Sequence, residues 1–422
     1  MMRGIIQFLF AVLMAVGSAH AGDWPQWRGP NHDGSSAETG LPASWSLASG
    51  VLWSADLPGM SSATPVIAGE KVFVVSSNDD HSEIFGLCFD RDSGKELWRK
   101  KLVENAGKNS RNDMASCSPV ADGERVFFLF GNTDLHAFDH GGNQLWYKDV
   151  TKEAGSVEPM WGYSSSPFLY QEKLYILALS GAGTKGSYLL CLDPATGKQV
   201  YKAPRRSDAV GESLDAYTTP VIYEADGTRT IVIAGADAIT GHKAATGEEV
   251  WRHSNNPSKI RNWRLIPSAT VIGDLVCGVE PRGGSAFAFR PSPGADLKWE
   301  ETVWKYDERT TDVPTPLFYD GRLYLLNGTR RIMMCLDPQT GKEHWRGEIE
   351  NAARIWASPT AGDGKIYCMD EDGQVIVLAA GESFKELSRA KMGGDGESKS
   401  SVALANGKLF IRTTERLYCI GK

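Results

Sequence analysis

From about residue 51 to the end, one pattern of polar and apolar positions recurs along the chain. It opens with a small–small–Pro–apolar segment, as in Ala63-Thr64-Pro65-Val66, Cys117-Ser118-Pro119-Val120, Ser165-Ser166-Pro167-Phe168, Thr218-Thr219-Pro220-Val221, Pro314-Thr315-Pro316-Leu317 and Ala357-Ser358-Pro359-Thr360. Two further copies, Pro267-Ser268-Ala269-Thr270 and Lys399-Ser400-Ser401-Val402, lack the proline. The markers 65, 119, 167, 220, 269, 316, 359 and 402 are spaced by 54, 48, 53, 49, 47, 43 and 43 residues. A Gly- or Asp-bearing turn follows each marker, then an apolar run such as Val72-Phe73-Val74-Val75 or Leu323-Tyr324-Leu325-Leu326. Short runs of β-branched and aromatic residues between turn signals read as strands buried on both faces. A third strand closes on Leu-Asp or a relative (Cys191-Leu192-Asp193, Cys335-Leu336-Asp337), and a Gly turn and an aromatic follow: Gly94 then Trp98, Gly197 then Tyr201, Gly247 then Trp251, Gly341 then Trp345.

Each unit is therefore expected to be four short antiparallel strands. No segment keeps an apolar residue at 3.6 spacing for four turns. Four-stranded units with a period of 40–50 residues read as the blades of a ring. The predicted fold is all-β, an eight-bladed β-propeller of four-stranded antiparallel blades. The last copy runs out at Leu417-Tyr418-Cys419-Ile420, after its third strand, and an orphan Trp-bearing strand, Val51-Leu52-Trp53-Ser54-Ala55, precedes the first. The N-terminal strand is expected to complete the C-terminal blade and close the ring, which removes an exposed sheet edge. Trp53, Trp98, Trp146, Trp251 and Trp345 recur in register and are assigned to packing between blades.

Composition narrows the functional classes. The 422 residues carry 45 Lys+Arg against 52 Asp+Glu, a net charge of −7, with 41% hydrophobic residues. That is a globular balance, which argues against long disorder or a polytopic membrane protein. An acidic surface also argues against nucleic acid and anionic lipid as partners. Residues 1–21 hold Arg3, the apolar run Ile5 to Val16 and Ala19-His20-Ala21, the layout of a secretory signal cleaved after Ala21. The apolar run is too short for the ~20 residues of a membrane span. The expected location is the periplasm or the exterior. Residues 22–46 are rich in turns (Pro25, Pro30, Pro42) and hold Trp24, Trp27 and Trp45, so they are expected to dock on a propeller spanning 47–422.

Candidate chemistry is sparse. The seven cysteines fall in different repeats and none are adjacent. Cys88, Cys191, Cys335 and Cys419 share one third-strand position, filled by Ala137 in the second unit, and read as small core residues. Cysteines on separate blades make poor disulfide partners. No His or Cys spacing indicates a metal, so no cofactor is expected on this reading. Loops entering the innermost strands should converge on one mouth of the channel. There the sequence places Arg111, Asp113, Glu158, Trp161, Asp215, Tyr217, Arg261, Trp263, Arg264, Arg309, Asp312, Arg354, Trp356, Glu397 and Lys399. Trp with Arg and Asp suits a polar ligand or a partner's extended peptide, and mutual pairing of these charges into a structural plug is the alternative.

The Ser-Ser-Pro-Val/Phe strand start, the Leu-Asp-x-x-Thr-Gly-Lys turn and its following Trp resemble the pyrroloquinoline-quinone-like (PQQ-like) repeat family of eight-bladed propellers. The stretch Asp23-Trp24-Pro25-Gln26-Trp27-Arg28-Gly29-Pro30 looks like the N-terminal segment of secreted bacterial members. The resemblance implies one of two roles, since the family holds quinoprotein dehydrogenases and the non-catalytic BamB scaffolds of outer-membrane assembly. A dehydrogenase would imply a vicinal Cys-Cys disulfide stacked on the quinone, with Glu, Asn and Asp oxygens holding calcium. The leading expectation is an exported non-catalytic scaffold with an envelope protein as partner. A PQQ- and calcium-dependent oxidoreductase lacking the vicinal disulfide, and a polysaccharide-binding propeller, are the alternatives.

Overall fold

The computed structural model describes residues 22–422 apart from 108–111, 158, 181–185, 226 and 394–397. The described chain forms eight sheets arranged as blades. Blades 1 to 7 begin at Val66–Ala68, Val120–Ala121, Phe168–Tyr170, Val221–Ala225, Thr270–Ile272, Leu317–Tyr319 and Thr360–Gly362. Blade 8 consists of Ala403–Ala405, Lys408–Arg412, Arg416–Ile420 and, on its outer edge, the N-terminal strand Val51–Asp56. Trp53 pairs with Cys419 and Ala55 with Leu417, so the ring closes as the repeat pattern predicts. First strands of neighbouring blades approach one another around the axis, and those of blades 8 and 1 meet as the others do.

The strand assignments follow from burial. Second and third strands such as Arg322–Asn327 and Ser187–Leu192 are buried almost throughout, sandwiched between neighbouring blades. Fourth strands alternate, as in Glu343–Glu348, because only one face meets another blade. Blade 4 departs from four strands. Asp296–Leu297, from an insertion in blade 5, pairs parallel to its outer strand Glu249–Ser254.

The Trp and Gly of each repeat form one latch. In register, Cys88 faces Trp98, Ala137 faces Trp146, Cys335 faces Trp345 and Cys419 faces Trp53, so a small residue leaves room for each indole. The indole then reaches into the next blade. Trp53 Nε1 donates to Arg91 O at 2.9 Å, Trp98 to His140 O at 3.1 Å, Trp146 to Pro194 O at 2.9 Å and Trp345 to Gly381 O at 2.9 Å. A Cβ on Gly94 would lie 2.5 Å from the Trp53 ring, and one on Gly197 2.7 Å from Trp146. These glycines also have φ near +70°, so the position needs glycine twice over. The preceding aspartate sets the turn: Asp193 Oδ1 accepts the Thr196 amide and hydroxyl, both at 2.9 Å.

Tyr201 and Trp304 occupy the same latch position as the five predicted tryptophans, donating to Ala244 O at 2.8 Å and Pro338 O at 3.0 Å. Trp304 escapes the sequence pattern because the blade 5 insertion separates it from its turn. Trp251 lies over Gly241 of its own blade and edges onto Phe289 of the next. Blade 7 has Ser388 instead, whose hydroxyl donates to Ala43 O in the N-terminal segment.

The residue before each proline marker builds the hub. Thr64, Ser118, Ser166, Thr219, Ser268, Thr315, Ser358 and Ser401 put one hydroxyl in every blade. The Thr64 amide donates to Ser118 Oγ (2.9 Å), Ser118 to Ser166 (3.0 Å), Ser166 to Thr219 (3.2 Å), Thr219 to Ser268 (2.9 Å), Ser268 to Thr315 (3.0 Å) and Thr315 to Ser358 (2.9 Å). Proline has no N–H, so it follows the last donor at the head of an innermost strand at no cost.

Residues 22–46 cross the face opposite the loop mouth. Trp24 is fully buried and bridges Ile67 of blade 1. The Ala121 amide of blade 2 donates to Pro25 O at 2.8 Å, and His32 lies 4.7 Å from the Phe168 ring of blade 3. Arg28 is buried and donates to Pro359 O of blade 7 at 2.9 Å and Pro316 O of blade 6 at 3.2 Å. Burial lowers its pKa to about 10. The signal assigned to residues 1–21 lies outside the described residues.

Candidate functional site

Strand polarity decides which loops meet. Each innermost strand starts at one face, and each second strand ends there. The loops before the first strand and after the second therefore surround the same opening. A cavity of about 410 Å³ lies inside it, lined by Trp161, Tyr217, Arg264, Arg354, Trp356, Glu371 and Lys399 among others. A smaller space of about 150 Å³ continues below, and Trp27 of the N-terminal segment lines it. With Trp27 lining that space and Arg28 bonded to blades 6 and 7, the segment closes the channel from behind. The channel is blind.

One residue from every blade lines both spaces: Ser62, Ser116, Ser164, Tyr217, Ile266, Val313, Trp356 and Lys399. Each stands two positions before the hub hydroxyl of its blade. In ring order they make two arcs. Lys399, Ser62, Ser116 and Ser164 are polar and belong to blades 8, 1, 2 and 3. Tyr217, Ile266, Val313 and Trp356 are apolar or aromatic and belong to blades 4 to 7.

Of the residues read from sequence, Trp161, Tyr217, Arg264, Arg354, Trp356 and Lys399 line the cavity. Three carboxylates stand behind its wall. Asp113 accepts the Ala115 amide of its own loop at 2.9 Å, and Asp215 accepts the Met160 amide of the blade 3 loop at 3.0 Å. Asp312 faces Arg264 at 3.4 Å. Trp263 is half-buried, its amide donating to Ser213 Oγ at 3.0 Å, and does not line the cavity. Arg261 and Arg309 are exposed and also lie outside the lining. Arg111, Glu158 and Glu397 are outside the described residues.

Charge at the rim is organised in pairs. Arg264 lies between Asp312 and Glu212, the latter at 3.7 Å. Glu212 also meets Arg282 at 2.7 Å and accepts from Trp161 Nε1 at 3.2 Å. Arg354 meets Glu371 at 2.8 Å and sits 5.6 Å over the Trp356 ring. Burial, with Asp215 nearby, raises the Tyr217 pKa and keeps its phenol neutral. Sequence reading missed Arg282 and Glu371 because they sit in turns after second strands, which only strand polarity brings to the mouth. Glu212 lies in the short 3-10 segment Gly211–Leu214. The eight lining residues had a signal, a fixed offset from the proline marker.

These features define an eight-bladed propeller with a blind axial channel. The chain belongs to the outer membrane protein assembly factor BamB family, whose model matches residues 43–184, 182–333 and 298–383. Among solved structures it is similar to BamB from Moraxella catarrhalis, at 14% identity over 88% of this chain and 99% of that one, TM-score 0.58. It is also similar to a europium-containing methanol dehydrogenase (11%, 96% and 98%, TM-score 0.68). A third is the quinohemoprotein alcohol dehydrogenase of Comamonas testosteroni (13%, 97% and 82%, TM-score 0.67). At these identities the likeness concerns the fold alone. No curated protein sequence matches the chain.

The quinone and calcium implied by the dehydrogenase likeness can be tested against the donors present. Calcium takes six to eight oxygen ligands. Here Glu212, Asp312 and Glu371 each face an arginine, and Asp113 and Asp215 accept backbone amides. Among the described residues no three His, Cys, Asp or Glu side chains converge as a donor set. The seven thiols are buried, free and distributed over seven blades. Burial pushes the Cys191 and Cys335 thiols up to about 11. The residues present do not fit that group.

Proposed function

We propose that this protein is an exported, non-catalytic propeller of the cell envelope that holds an extended segment of a partner protein at its channel mouth. The observation that carries this reading is the blind channel itself. Its aromatic and polar wall draws one side chain from each blade, while its rim carboxylates are already matched by arginines. Such a wall offers stacking and hydrogen bonding without an assembled reactive group. Membership of the BamB family supports an envelope role, and no helix among the described residues is long and apolar enough to cross a membrane.

A photo-crosslinking residue placed at Trp356 in the native envelope should capture a discrete partner. The same residue at Leu145, exposed on the outer edge of blade 2, should not. Equal capture from both positions, or none from Trp356, overturns the channel as the binding place. Reconstitution with PQQ and calcium should leave the protein colourless, and dye-linked alcohol oxidation would replace the scaffold reading with the enzymatic one.

A further inference from the structure

We infer that the N-terminal segment carries an acid-released cover: protonation of His32 lifts the loop 29–33 from the back of the channel. The loop is closed on itself. The Gly34 amide donates to Arg28 O at 2.9 Å, and the His32 amide to Gly29 O at 3.3 Å. Gly29 and Gly34, at φ +72° and +88°, form its two ends. The flanking chain is held separately, by the Trp24–Ile67 bridge on one side and the Ser35–Ala361 bridge on the other. The loop can therefore move while both attachments hold.

The surroundings of His32 are poorly suited to a charge. A cavity of about 20 Å³ lies between the loop and blades 4 to 6, and Arg28, His32, Asp33 and Thr315 are among its walls. Thr315 also lines the lower channel space, so the loop covers the back of the channel. His32 Nδ1 and Arg28 Nε are both shielded from water and have no hydrogen-bond partner. Arg28 already places one cation here, its other nitrogens bonded to the carbonyls of Pro359, Pro316 and Asp33. A proton added at His32 Nδ1 places a second, and burying an unpaired charge is costly. Asp33 is the one carboxylate among the wall residues, and its Oδ1 accepts the Ser35 amide and hydroxyl at 2.7 and 2.8 Å. Blade 3 presents the Phe168 and Tyr170 rings at 4.7 and 6.3 Å, and blades 4 to 6 line the cavity with aliphatic groups and hydroxyls. His32 also has φ +62°, a conformation that residues other than glycine seldom adopt, which weakens the seated state further.

Proton linkage sets the size of the effect. With the imidazole at 6.5 when lifted and about 4 when seated, the ratio of lifted to seated loops should rise about thirtyfold between pH 7.5 and pH 5. Hydrogen–deuterium exchange on the whole protein, resolved by overlapping peptides and corrected for the intrinsic pH dependence of exchange, reads this at the His32 and Gly34 amides. Protection there should fall about thirtyfold, while the Trp24 and Ser36 amides and the blade strands keep theirs. His32→Asn, a residue that tolerates positive φ, should hold its protection at both pH values, with His32→Gln as a second non-titrating variant. His253→Phe, elsewhere in the ring, should respond as the unaltered protein does. A loop whose protection is indifferent to pH overturns the inference, as does an equal fall in the non-titrating variants. Loss of protection across the blades at pH 5 also overturns it, because acid would then unfold the ring instead of lifting the loop. Partner capture at Trp356 is a separate measurement, and none of these outcomes alters it.

Discussion

Replacing Trp53 with alanine tests ring closure directly, because this residue belongs to the first strand in sequence and the last blade in space. Trp53 is 9% exposed, packs 6.1 Å from Phe410 and donates to Arg91 O across the seam to blade 1. Its ring also fills the space above Gly94. Truncating a buried tryptophan to alanine costs about 3–5 kcal/mol. Roughly 400 residues at about 2.1 cal/mol/K each give an unfolding entropy near 0.84 kcal/mol/K, so the melting temperature should fall by about 4–6 °C. Trp53→Phe keeps most ring contacts and loses one hydrogen bond, about 1 kcal/mol, or roughly 1 °C. Trp146→Ala provides the internal comparison. It removes the same bond and the same glycine contact at the junction of blades 2 and 3, where the chain is continuous. Differential scanning calorimetry on the three variants decides the matter. A fall below 1 °C for Trp53→Ala beside a full effect for Trp146→Ala would mean that the seam between blades 8 and 1 is not made in solution.

Three further outcomes follow from the geometry. Ser118→Ala removes the acceptor of the buried Thr64 amide and should cost about 1–3 kcal/mol in denaturant titration, while Ser118→Thr, a residue the hub uses elsewhere, should cost less than about 1. Burial lowers the pKa of His32, His242 and His253 from 6.5 to about 4. Between those values the unfolded chain takes up protons that the native chain refuses, so stability should decline as pH falls from 6.5 toward 4, by up to about 3 kcal/mol per histidine. His253→Phe, at a site already stacked 4.2 Å from Phe289, should flatten that decline, and a melting temperature indifferent to pH in this window would contradict the burial of all three. Intact mass of the exported protein should begin at Gly22, and retention of residues 1–21 would refute the signal assignment.

The repeat makes the fold legible in the sequence. Alternation, turn residues and the recurring Trp sufficed for blade number and for the Trp53–Cys419 seam, because each copy repeats one packing problem. The fifth strand of blade 4 was not legible, since two residues, Asp296 and Leu297, carry too little pattern to show a partner. The site was half legible. Residues before the proline markers lead into the innermost strands, yet position along a loop does not say which side chains turn inward. Arg261 and Arg264 are three residues apart, and only the second reaches the cavity. Glu371 was out of reach because its loop follows a second strand.

Comparing blades within this one chain separates what the fold needs from what it leaves free. Position for position, the residue before each marker is always Ser or Thr, and in blades 2 to 7 its hydroxyl accepts the preceding blade's amide, while the Ser401 hydroxyl donates to Ser358 O at 2.9 Å. Two residues earlier the chain reads Ser, Ser, Ser, Tyr, Ile, Val, Trp and Lys in blade order. The backbone setting is the same, and two of these side chains bond a neighbouring blade, Ser62 donating to Asp113 Oδ2 at 3.4 Å and Tyr217 accepting the Trp161 amide at 3.3 Å. Free variation would scatter polar and apolar types around the ring. Instead they sort into two contiguous arcs facing each other across one cavity. Ser62, Ser116 and Tyr217 do bond nearby loop residues, but those bonds do not require that the polar and apolar types be grouped around the ring. It is what a ligand with one polar and one apolar side would require, and exchanging members between the arcs, Ser164→Ile with Ile266→Ser, should leave the melting temperature within about 2 °C while abolishing capture of a partner at Trp356.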